Sequence, residues 1–259
     1  MWKVIAQMAK LRPILWDKSI GEGLYPRYVK RALDICGAIA GLVVLSPLFA
    51  VIALLVRVKL GSPIVFQQLR PGLIDSRTGE EIIFKMYKFR SMTNKADESG
   101  ALLPDSERLT SFGKSLRSSS LDELPELVNI LRGEMSFVGP RPQLVRDMTF
   151  MNVIQRKRHL VRPGLTGLAQ VRGRNAISWD DKMENDLEYV KHVTFLGDAC
   201  ILFATFLKVF KKEGIEGEGQ ATSEDFGDYL LRVGAINAEE YERGQTLALE
   251  ILETEEGNG

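Results

Sequence analysis

Residues 35–56 read ICGAIAGLVVLSPLFAVIALLV, a run of 22 residues without a charged side chain. A run of this length and apolar character is long enough to cross a lipid bilayer as an α-helix. Ser46 and Pro47 fall at its centre, where a proline cannot donate an N–H to the carbonyl of Val43 and its ring clashes with that carbonyl. The sequence therefore predicts a sharp bend in the middle of this apolar helix.

Basic residues flank the run on both sides, whereas a simple membrane span normally has its excess of Lys and Arg on one side only. The flanking cations are Lys30, Arg31, Arg57 and Lys59. A helix that enters the bilayer, bends at Ser46-Pro47 and returns would keep both ends on the cytoplasmic face. The Ser46 hydroxyl could then bond a carbonyl that the proline leaves free. We expect such a re-entrant helix, with a straight transmembrane helix as the alternative.

Charge is distributed unevenly along the chain. Its 259 residues contain 34 basic and 34 acidic side chains, yet residues 213–259 contain 13 acidic residues and two arginines, a net charge of −11. The preceding part is basic, which favours anionic partners such as phosphates or lipid headgroups. We expect no nucleic-acid partner. Cys36 and Cys200 lack the spacing of metal ligands, and a reducing cytoplasmic compartment fits them best.

Short strand-like runs and helical periodicities follow the apolar segment. Residues 64–66 and 80–92 predict a small β-hairpin with Gly79 near its connecting turn and a Pro-Gly turn after the first strand. Helices are expected near 124–131, 179–192 and 226–252, with a further apolar helix at 195–210. The fold class is α+β and predominantly helical.

The stretch LRSSSLDELPELVNILRGEMSFVGPRP, residues 116–142, is the richest in chemistry. A helix tolerates proline only in its first turn, so Pro125 predicts a helix that begins near Asp122 and ends at Gly133. Asp122 and Glu123 would then lie at its positive end, beside free N–H groups that suit phosphate. Taken alone, such a pair is more often a helix cap with a first-turn acid.

Cations accompany this acidic pair and recur beside glycines and prolines, in VGPRP (138–142), RPG (162–164) and RGR (172–174). The cations of interest are Lys85, Lys88, Arg90, Arg117, Arg132, Arg141, Arg156, Lys157, Arg158, Arg162, Arg172 and Arg174. Rigid basic loops suit phosphate or pyrophosphate, although runs of charge are usually solvated surface. An acidic pair in this setting suits Mg²⁺ held jointly with substrate phosphates, or a carboxylate nucleophile that attacks phosphorus.

Taken together, these motifs resemble the bacterial sugar transferases, specifically the monotopic polyprenol-phosphate phosphoglycosyl transferases. The similarity runs from Lys30 to about Phe226. The segments that carry it are KRALD (30–34), the Ser46-Pro47 bend, KFRSM (88–92), LPDSERLTSFGKSLR (103–117), SLDELPEL (120–127), MSFVGPRP (135–142), RHLVRPGLTGLAQVRGRN (158–175) and ISW (177–179).

The resemblance implies an enzyme that transfers a sugar-1-phosphate from a UDP-sugar to polyprenyl (undecaprenyl) phosphate and releases UMP. This reaction is the first membrane step of polysaccharide or glycoconjugate biosynthesis. The resemblance further implies that Asp122 is a nucleophile forming a phosphosugar-aspartate intermediate, and that Glu123 supports it and helps to bind Mg²⁺. The residues implied to bind the phosphates and the nucleotide sugar are Lys88, Arg90, Arg117, Arg141, Arg174 and Asn175.

By the same resemblance the chain divides into four parts at the cytoplasmic face of the bacterial inner membrane. Residues 30–59 are the re-entrant helix, 60–226 the cytosolic catalytic domain and 227–259 an acidic appendage. A helical stripe of apolar residues from Trp2 to Trp16, interrupted by Pro13, predicts that residues 1–29 are an interfacial segment on the membrane, with a helix packed on the protein's own core as the alternative. The Gly- and Glu-rich sequence beyond Gly214 predicts a linker. The role of the appendage, the sugar transferred and the oligomeric state, a homo-oligomer included, stay open at this stage. His159 and Trp179 are interpreted as structural rather than catalytic.

Two other functions compete with this interpretation. A non-catalytic scaffold that binds anionic lipids through its cations would function unchanged after Asp122→Asn. A conventional glycosyltransferase, which moves the sugar without its phosphate, would release UDP rather than UMP.

Overall fold

Helices dominate the chain, for which a computed structural model describes residues 23–173, 177–211 and 224–257. The longer helices are α1 (Tyr25–Val44, whose first turn Tyr25–Val29 is a π-helix), α2 (Ser46–Leu60), α4 (Ser111–Ser118), α5 (Glu126–Arg132), α9 (Trp179–Lys191), α10 (Phe195–Lys211), α11 (Phe226–Arg232) and α12 (Ala238–Gly257). The short helices are α3 (Asp105–Arg108), α6 (Val145–Met148), α7 (Val153–Arg156) and α8 (Leu168–Arg172). Two 3₁₀ turns span Leu121–Glu123 and Lys157–Leu160.

Two small sheets complete the fold, so the prediction of a mainly helical α+β protein is confirmed. Strands β1 (Val65–Ile74) and β2 (Glu81–Phe89) form an antiparallel hairpin, and β3 (Ser136–Val138) pairs in parallel with β4 (Gly164–Thr166). Gly79 lies in the hairpin turn with φ +78°, as its position in the sequence predicted. The predicted Pro-Gly turn is wrong, because Pro71 and Gly72 lie within β1, where the strand register shifts.

The predicted bend is present between α1 and α2. The two helices meet at Leu45 and are inclined by 64° to each other. The Ser46 hydroxyl donates a hydrogen bond to the carbonyl of Val43 at 2.8 Å, the acceptor that Pro47 leaves without its helical donor. Within the described ranges no single helix has both the length and the apolar composition to cross a membrane, and only this bent pair passes as a unit.

The KRALD segment attaches α1 to the rest of the protein. Lys30 Nζ lies 2.6 Å from Asp198 Oδ2, and Arg31 donates to the carbonyls of Ile130 and Leu131 at the end of α5. Thus two of the four flanking cations, interpreted above as evidence that both ends of the apolar run stay on the cytoplasmic face, bond within the protein, whereas Arg57 and Lys59 are exposed.

Asp34 makes a second attachment of α1. It is buried and accepts from the Ser136 hydroxyl and the Phe137 backbone N–H at 3.1 and 3.0 Å. Because a buried carboxylate without such donors costs several kcal/mol, typically ~3–5 once a partner is removed, these bonds fix α1 against β3. The bent pair therefore has a defined position relative to the strands that carry the site.

The close approach of β3 and β4 depends on glycine. A Cβ on Gly139, just after β3, would lie 2.3 Å from the Arg162 carbonyl oxygen, and one on Gly164 would lie 2.1 Å from the Gly139 nitrogen. No side chain can be accommodated at such distances. The glycines of VGPRP and RPG thus bring two chain segments together and fix where Arg141 begins its side chain.

The acidic tail is well packed where it is described. Phe226 is 1% exposed, lies in a cluster with Met151, Trp179 and Met183, and donates its backbone N–H to Asp147 Oδ1 at 2.8 Å. The 227–259 division stays a prediction, but α11 and α12 cover a face of the main domain. The linker near Gly214 and the stripe from Trp2 to Trp16 lie outside the described residues.

Candidate active site

Asp122 and Glu123 lie in the 3₁₀ turn Leu121–Glu123, not in the first turn of an α-helix. Ser120 before them adopts a left-handed conformation (φ +55°), and α5 begins only after Pro125. The prediction that the helix starts near Asp122 is therefore wrong. Pro125 is compatible with a helix start, and here it occupies the N-cap position of α5. The acidic pair therefore precedes the helix, and its carboxylates are positioned by the 3₁₀ turn and by the surrounding side chains.

Glu123 is held by two cations. Its Oε1 accepts from Lys88 Nζ at 2.8 Å and from Arg141 Nη2 at 2.7 Å. Burial alone would raise the pKa of Glu123, but Arg141 and Lys88 outweigh burial and hold it well below its usual range. Glu123 is therefore ionised throughout the neutral pH range.

Asp122 is in a different electrostatic state. It is 7% exposed, and burial together with the neighbouring Glu123 charge raises its pKa to about 6, against the opposing effect of Lys88, Arg117 and Arg141. No residue in the described ranges donates a hydrogen bond to its carboxylate. Ionised at neutral pH but poorly solvated, this carboxylate keeps its oxygens available for another partner.

Three predicted cations are brought to this pair by three different segments. Lys88 comes from β2, Arg117 from the end of α4 and Arg141 from the loop after β3. The Ser91 hydroxyl accepts from Arg117 Nε at 2.9 Å, and the Arg141 carbonyl accepts from Arg158 Nη2 at 2.6 Å. The site is thus assembled across the fold.

Arg90 stands apart from this group. It is 7% exposed, and its guanidinium donates to the carbonyls of Met92 and Ser62 at 2.8 and 2.5 Å. These bonds tie the end of β2 to the segment after α2. Arg174 and Asn175 lie outside the described residues.

Most of the other basic residues near glycine and proline bond within the protein, which corrects the expectation of phosphate-binding loops there. Arg158 is buried and pairs with Asp186 at 2.7 Å. Arg156 and His159 both bond Glu81, whose pKa they lower to about 2 despite burial. Arg162 donates to the Gly133 carbonyl and Arg172 pairs with Glu188. The structural role interpreted for His159 agrees with these contacts.

Trp179 also has the structural environment interpreted from the sequence. It is 6% exposed, lies in the cluster with Phe226, and donates its indole N–H to the Glu224 carbonyl at 3.0 Å. Its side chain also borders the smaller of two cavities beside the carboxylates.

Two cavities lie beside the cations that surround the acidic pair and share Arg117, Arg141 and Gln143 in their walls, although Asp122 itself lines neither of them. The larger, about 520 Å³, includes Glu123 and is bordered by α1 at Gly37 and Gly41. The smaller, about 270 Å³, is lined mainly by polar groups and includes Lys88. Arg117 and Arg141 could therefore bind a phosphate of a ligand in either cavity.

Residues that the sequence analysis did not single out complete the smaller cavity. Arg70, Glu126, Asp147 and Asp225 all line it. Glu126 was readable as the third acid of SLDELPEL, but its burial could not be deduced from that spacing. Asp225 lies far along the chain and reaches the cavity only through the packing of the tail.

Mg²⁺ is the ion that the sequence predicts for the acidic pair. No group of three or more His, Cys, Asp or Glu side chains in the described part of the chain is placed to hold a metal. Mg²⁺ commonly takes one or two carboxylates, several waters and the phosphates of its substrate, so a smaller protein donor set suffices. Glu123 Oε1 is already bonded to two cations. Asp122, whose oxygens are available, fits this ion better.

The residues of this site fall within a segment that matches a known protein family. A sequence model of the family described as bacterial sugar transferase matches residues 25–212, and these residues contain the acidic pair and all three cations around it. The chain belongs to the bacterial sugar transferase family. The predicted family is confirmed, and with it the prediction that the chain is a transferase enzyme.

Relatives of this sugar transferase span two lengths. It is 44% identical over 198 residues to "Uncharacterized sugar transferase EpsL" of Bacillus subtilis, covering 76% of this chain and 95% of that one. It is 36% identical to the UDP-N-acetylgalactosamine-undecaprenyl-phosphate N-acetylgalactosaminephosphotransferase of Aeromonas hydrophila, covering 69% of this chain and 43% of that protein. It is 39% identical to the UDP-glucose:undecaprenyl-phosphate glucose-1-phosphate transferase of Escherichia coli, covering 71% and 40%. The chain spans less than half of the two relatives with named substrates.

Proposed function

We propose that this sugar transferase moves a sugar-1-phosphate from a UDP-sugar to undecaprenyl phosphate and releases UMP. The names of its relatives in Aeromonas hydrophila and Escherichia coli support this reaction class. The observation that carries the proposal is the state of Asp122, a buried carboxylate with raised pKa and available oxygens, surrounded by three cations. Such a group suits attack on a phosphorus whose negative charge the cations neutralise.

The reaction takes place in two displacements. An Asp122 carboxylate oxygen attacks the phosphorus that bears the sugar, the bond from this phosphorus to the bridging oxygen breaks, and UMP leaves with that oxygen. A phosphate oxygen of the lipid then attacks the same phosphorus, and the bond to Asp122 breaks. The products are a polyprenyl-diphosphate sugar and the restored carboxylate. Arg117 and Arg141 border both cavities and would contact the phosphates in both steps.

Mg²⁺ belongs to this proposal as an electrophile that neutralises the diphosphate. Asp122 would hold it together with substrate oxygens, and Glu123 would support the site through its ion pairs with Lys88 and Arg141.

We further propose that the bent pair α1–α2 enters one leaflet from the cytoplasmic face of the bacterial inner membrane. Large apolar side chains on these helices are exposed, as are several on α10. Contiguous apolar surface of this kind is unusual on a soluble monomer. The exposed side chains include Val43, Val44, Val51, Leu54, Val58, Leu196, Phe203 and Phe206.

The larger cavity has the composition expected for the lipid phosphate. Its walls combine apolar residues, among them Leu45, Phe137 and Leu202, with the cations Arg117 and Arg141. Because α1 borders it, an acceptor anchored in the membrane could bring its phosphate to the acidic pair without leaving the lipid. A UDP-sugar dissolved in water would approach the same arginines from the solvent.

The test is the identity of the nucleotide product. Purified protein in detergent receives each of several UDP-sugars, undecaprenyl phosphate and Mg²⁺, and nucleotides are separated by chromatography. We expect UMP with at least one donor, its loss by a factor of about 10³ or more in Asp122→Asn, and no change in the exposed-site control Glu239→Gln. Donor alone should leave a phosphosugar mass adduct on Asp122. Release of UDP, or full turnover in Asp122→Asn, contradicts the proposal.

A further inference from the structure

Two buried polar atoms that lack hydrogen-bond partners belong to residues lining the smaller cavity. Among the described residues, the buried side-chain nitrogen and oxygen atoms without such a partner are Arg70 Nε, Glu126 Oε1 and Gln170 Oε1. The residues that carry the first two atoms, Arg70 and Glu126, line this cavity. Leaving a buried polar atom unpaired costs about 1–3 kcal/mol, and few such atoms occur in native proteins. One donor and one acceptor in the same small space indicate a ligand that supplies both.

Glu126 is positioned to accept from a ligand. It is 2% exposed, and its Oε1 forms an ion pair with Lys88 Nζ at 3.1 Å, while the same ammonium donates to Glu123 Oε1 at 2.8 Å. Glu126 thus has a charge partner while its oxygen keeps the capacity to accept. Burial raises the pKa of Glu126 to about 7, so its charge is only weakly stabilised by the protein itself.

Arg70 is positioned to donate. Its Nη2 donates to Gln68 Oε1 at 2.6 Å and its Nη1 reaches the Pro142 carbonyl at 3.5 Å, which orient the guanidinium and leave Nε–H without an acceptor. Burial lowers the pKa of Arg70 to about 10, so the group stays cationic at neutral pH. A hydrogen bond from it would therefore be charge-assisted.

The size and position of the cavity favour one part of the donor. A volume of about 270 Å³ lies below the ~300–1,000 Å³ of pockets that enclose drug-sized ligands, so it suits a single ring unit rather than a whole nucleotide sugar. Lys88 joins the cavity to the acidic pair by contacting both Glu123 and Glu126. The sugar is joined through a single oxygen to the phosphorus under attack, whereas the nucleoside is one phosphate further away.

We propose that the smaller cavity binds the glycosyl unit of the donor, with Arg70 Nε–H donating to one sugar hydroxyl and Glu126 Oε1 accepting from another. This inference rests on the proposed function. Hydroxyl groups both donate and accept, so a sugar satisfies the two unpaired atoms together. Part of the wall, Asp225, lies outside residues 25–212 that match the family. A residue from the segment after residue 212 therefore helps to form the cavity in which one sugar would be distinguished from another.

The test compares binding of a UDP-sugar with binding of UDP, by titration calorimetry in detergent with Mg²⁺ present. The UDP-sugar used in this test is whichever of UDP-glucose, UDP-galactose and UDP-N-acetylgalactosamine binds the parent protein most tightly. Arg70→Lys keeps the charge but removes the Nε–H of the planar group, and Glu126→Ala removes the acceptor. In each we expect the Kd of the UDP-sugar to rise about tenfold, while the Kd of UDP changes less than twofold. Glu126→Gln, which keeps an acceptor oxygen, should retain most of the affinity.

Two results overturn this assignment. Equal weakening of UDP and UDP-sugar places the nucleoside in the cavity, and unchanged affinity for both shows that neither atom contacts the donor. Thermal melts of Arg70→Lys and Glu126→Gln identify misfolded protein, and a misfolded variant weakens both ligands equally. Selective loss of UDP-sugar binding without any UMP release would contradict the proposed reaction but not the glycosyl cavity.

Discussion

Asp122 and Glu123 are neighbours in the chain, yet the pKa values of their carboxyl groups are displaced in opposite directions. Burial and the Glu123 charge raise the pKa of Asp122 to about 6, whereas Arg141 and Lys88 hold that of Glu123 low. Two acids of similar chemistry thus acquire different roles from their surroundings. Glu123 is a fixed charge, and Asp122 is the group whose charge the fold opposes.

Asp122→Asn is expected to stabilise the protein at pH 7.5. The pKa of about 6 in the folded protein exceeds the ordinary value of 3.8 for an aspartate, so the folded protein binds more protons than the unfolded chain between about pH 4 and 6. Stability therefore decreases as pH rises through this window, and the ionised side chain costs about 1–3 kcal/mol above it. Denaturant unfolding in detergent should show the gain at pH 7.5 and its decrease toward pH 4.5.

Glu123→Gln is the matched variant with the opposite sign. It removes the carboxylate that pairs with Arg141 and one of the two that pair with Lys88, which is expected to cost about 1–3 kcal/mol. If both variants lowered the free energy of unfolding, the assignment of opposite electrostatic states would be wrong.

The donor half-reaction should depend on pH through Asp122. Only the ionised carboxylate attacks phosphorus, so the rate of UMP release with donor alone is expected to fall about tenfold per pH unit below the pKa of Asp122 and to level off above it. This pKa is about 6 in the protein alone and lower once Mg²⁺ is bound. Omitting undecaprenyl phosphate excludes titration of the acceptor. Rapid-quench measurement down to about pH 4 gives the profile, and a rate that falls nowhere in this range would count against Asp122.

Local sequence rules predicted the bend and the hairpin because their causes are local. A proline that cannot donate lies four positions after the affected residue Val43, and a serine that can bond the freed carbonyl lies three positions after it. Gly79 and the β-branched and aromatic runs around it indicate a turn between strands in the same way.

The cations show where such reasoning ends. Arg141 and Arg158 stand in similar glycine- and proline-rich contexts, yet Arg141 faces the acidic pair and Arg158 is neutralised by Asp186, 28 residues away. The pairing depends on which segments pack together, and sequence spacing does not encode that. For the same reason the sequence did not indicate that Arg70 and Asp225, which are far apart in the chain, line the same cavity.

Pro47→Ala is expected to change the membrane topology that we propose. An alanine can donate to the Val43 carbonyl, and it removes a residue that disfavours a continuous helix by about 3 kcal/mol. A fraction of molecules should then expose the end of α2 on the opposite face of the membrane. Thiol labelling of Lys59→Cys in sealed vesicles, with Cys36 and Cys200 replaced by alanine, measures that fraction.

Val51→Ala is the control for this topology experiment, because Val51 is exposed on α2 and its replacement leaves Pro47 in place. Labelling of the control should match that of the parent. Identical labelling in Pro47→Ala would show that the contacts of Lys30, Arg31 and Asp34, rather than the proline, determine the path of the chain.

Packing of the tail should depend on the absence of a side chain at Gly244. The Phe150 ring lies against this glycine, and an added Cβ would come 2.3 Å from Cε1 of the ring. Gly244→Ala should therefore destabilise the protein by about 1–3 kcal/mol, even though alanine favours a helix over glycine by about 1 kcal/mol. Gly257→Ala makes the same substitution on the same helix with no atom within 4 Å, and should be close to neutral.

The contribution of the Phe150 ring to this effect can be isolated with a double-mutant cycle. Phe150→Ala alone should cost about 3 kcal/mol, because the ring packs against the tail and stacks on Tyr241 at 5.8 Å. In that background the Gly244→Ala penalty should disappear, since the atom that it meets is gone. Chemical denaturation of the four proteins gives the coupling energy. A penalty that persists without the ring would mean that the approach of the helix backbone, and not the ring, requires glycine at this position.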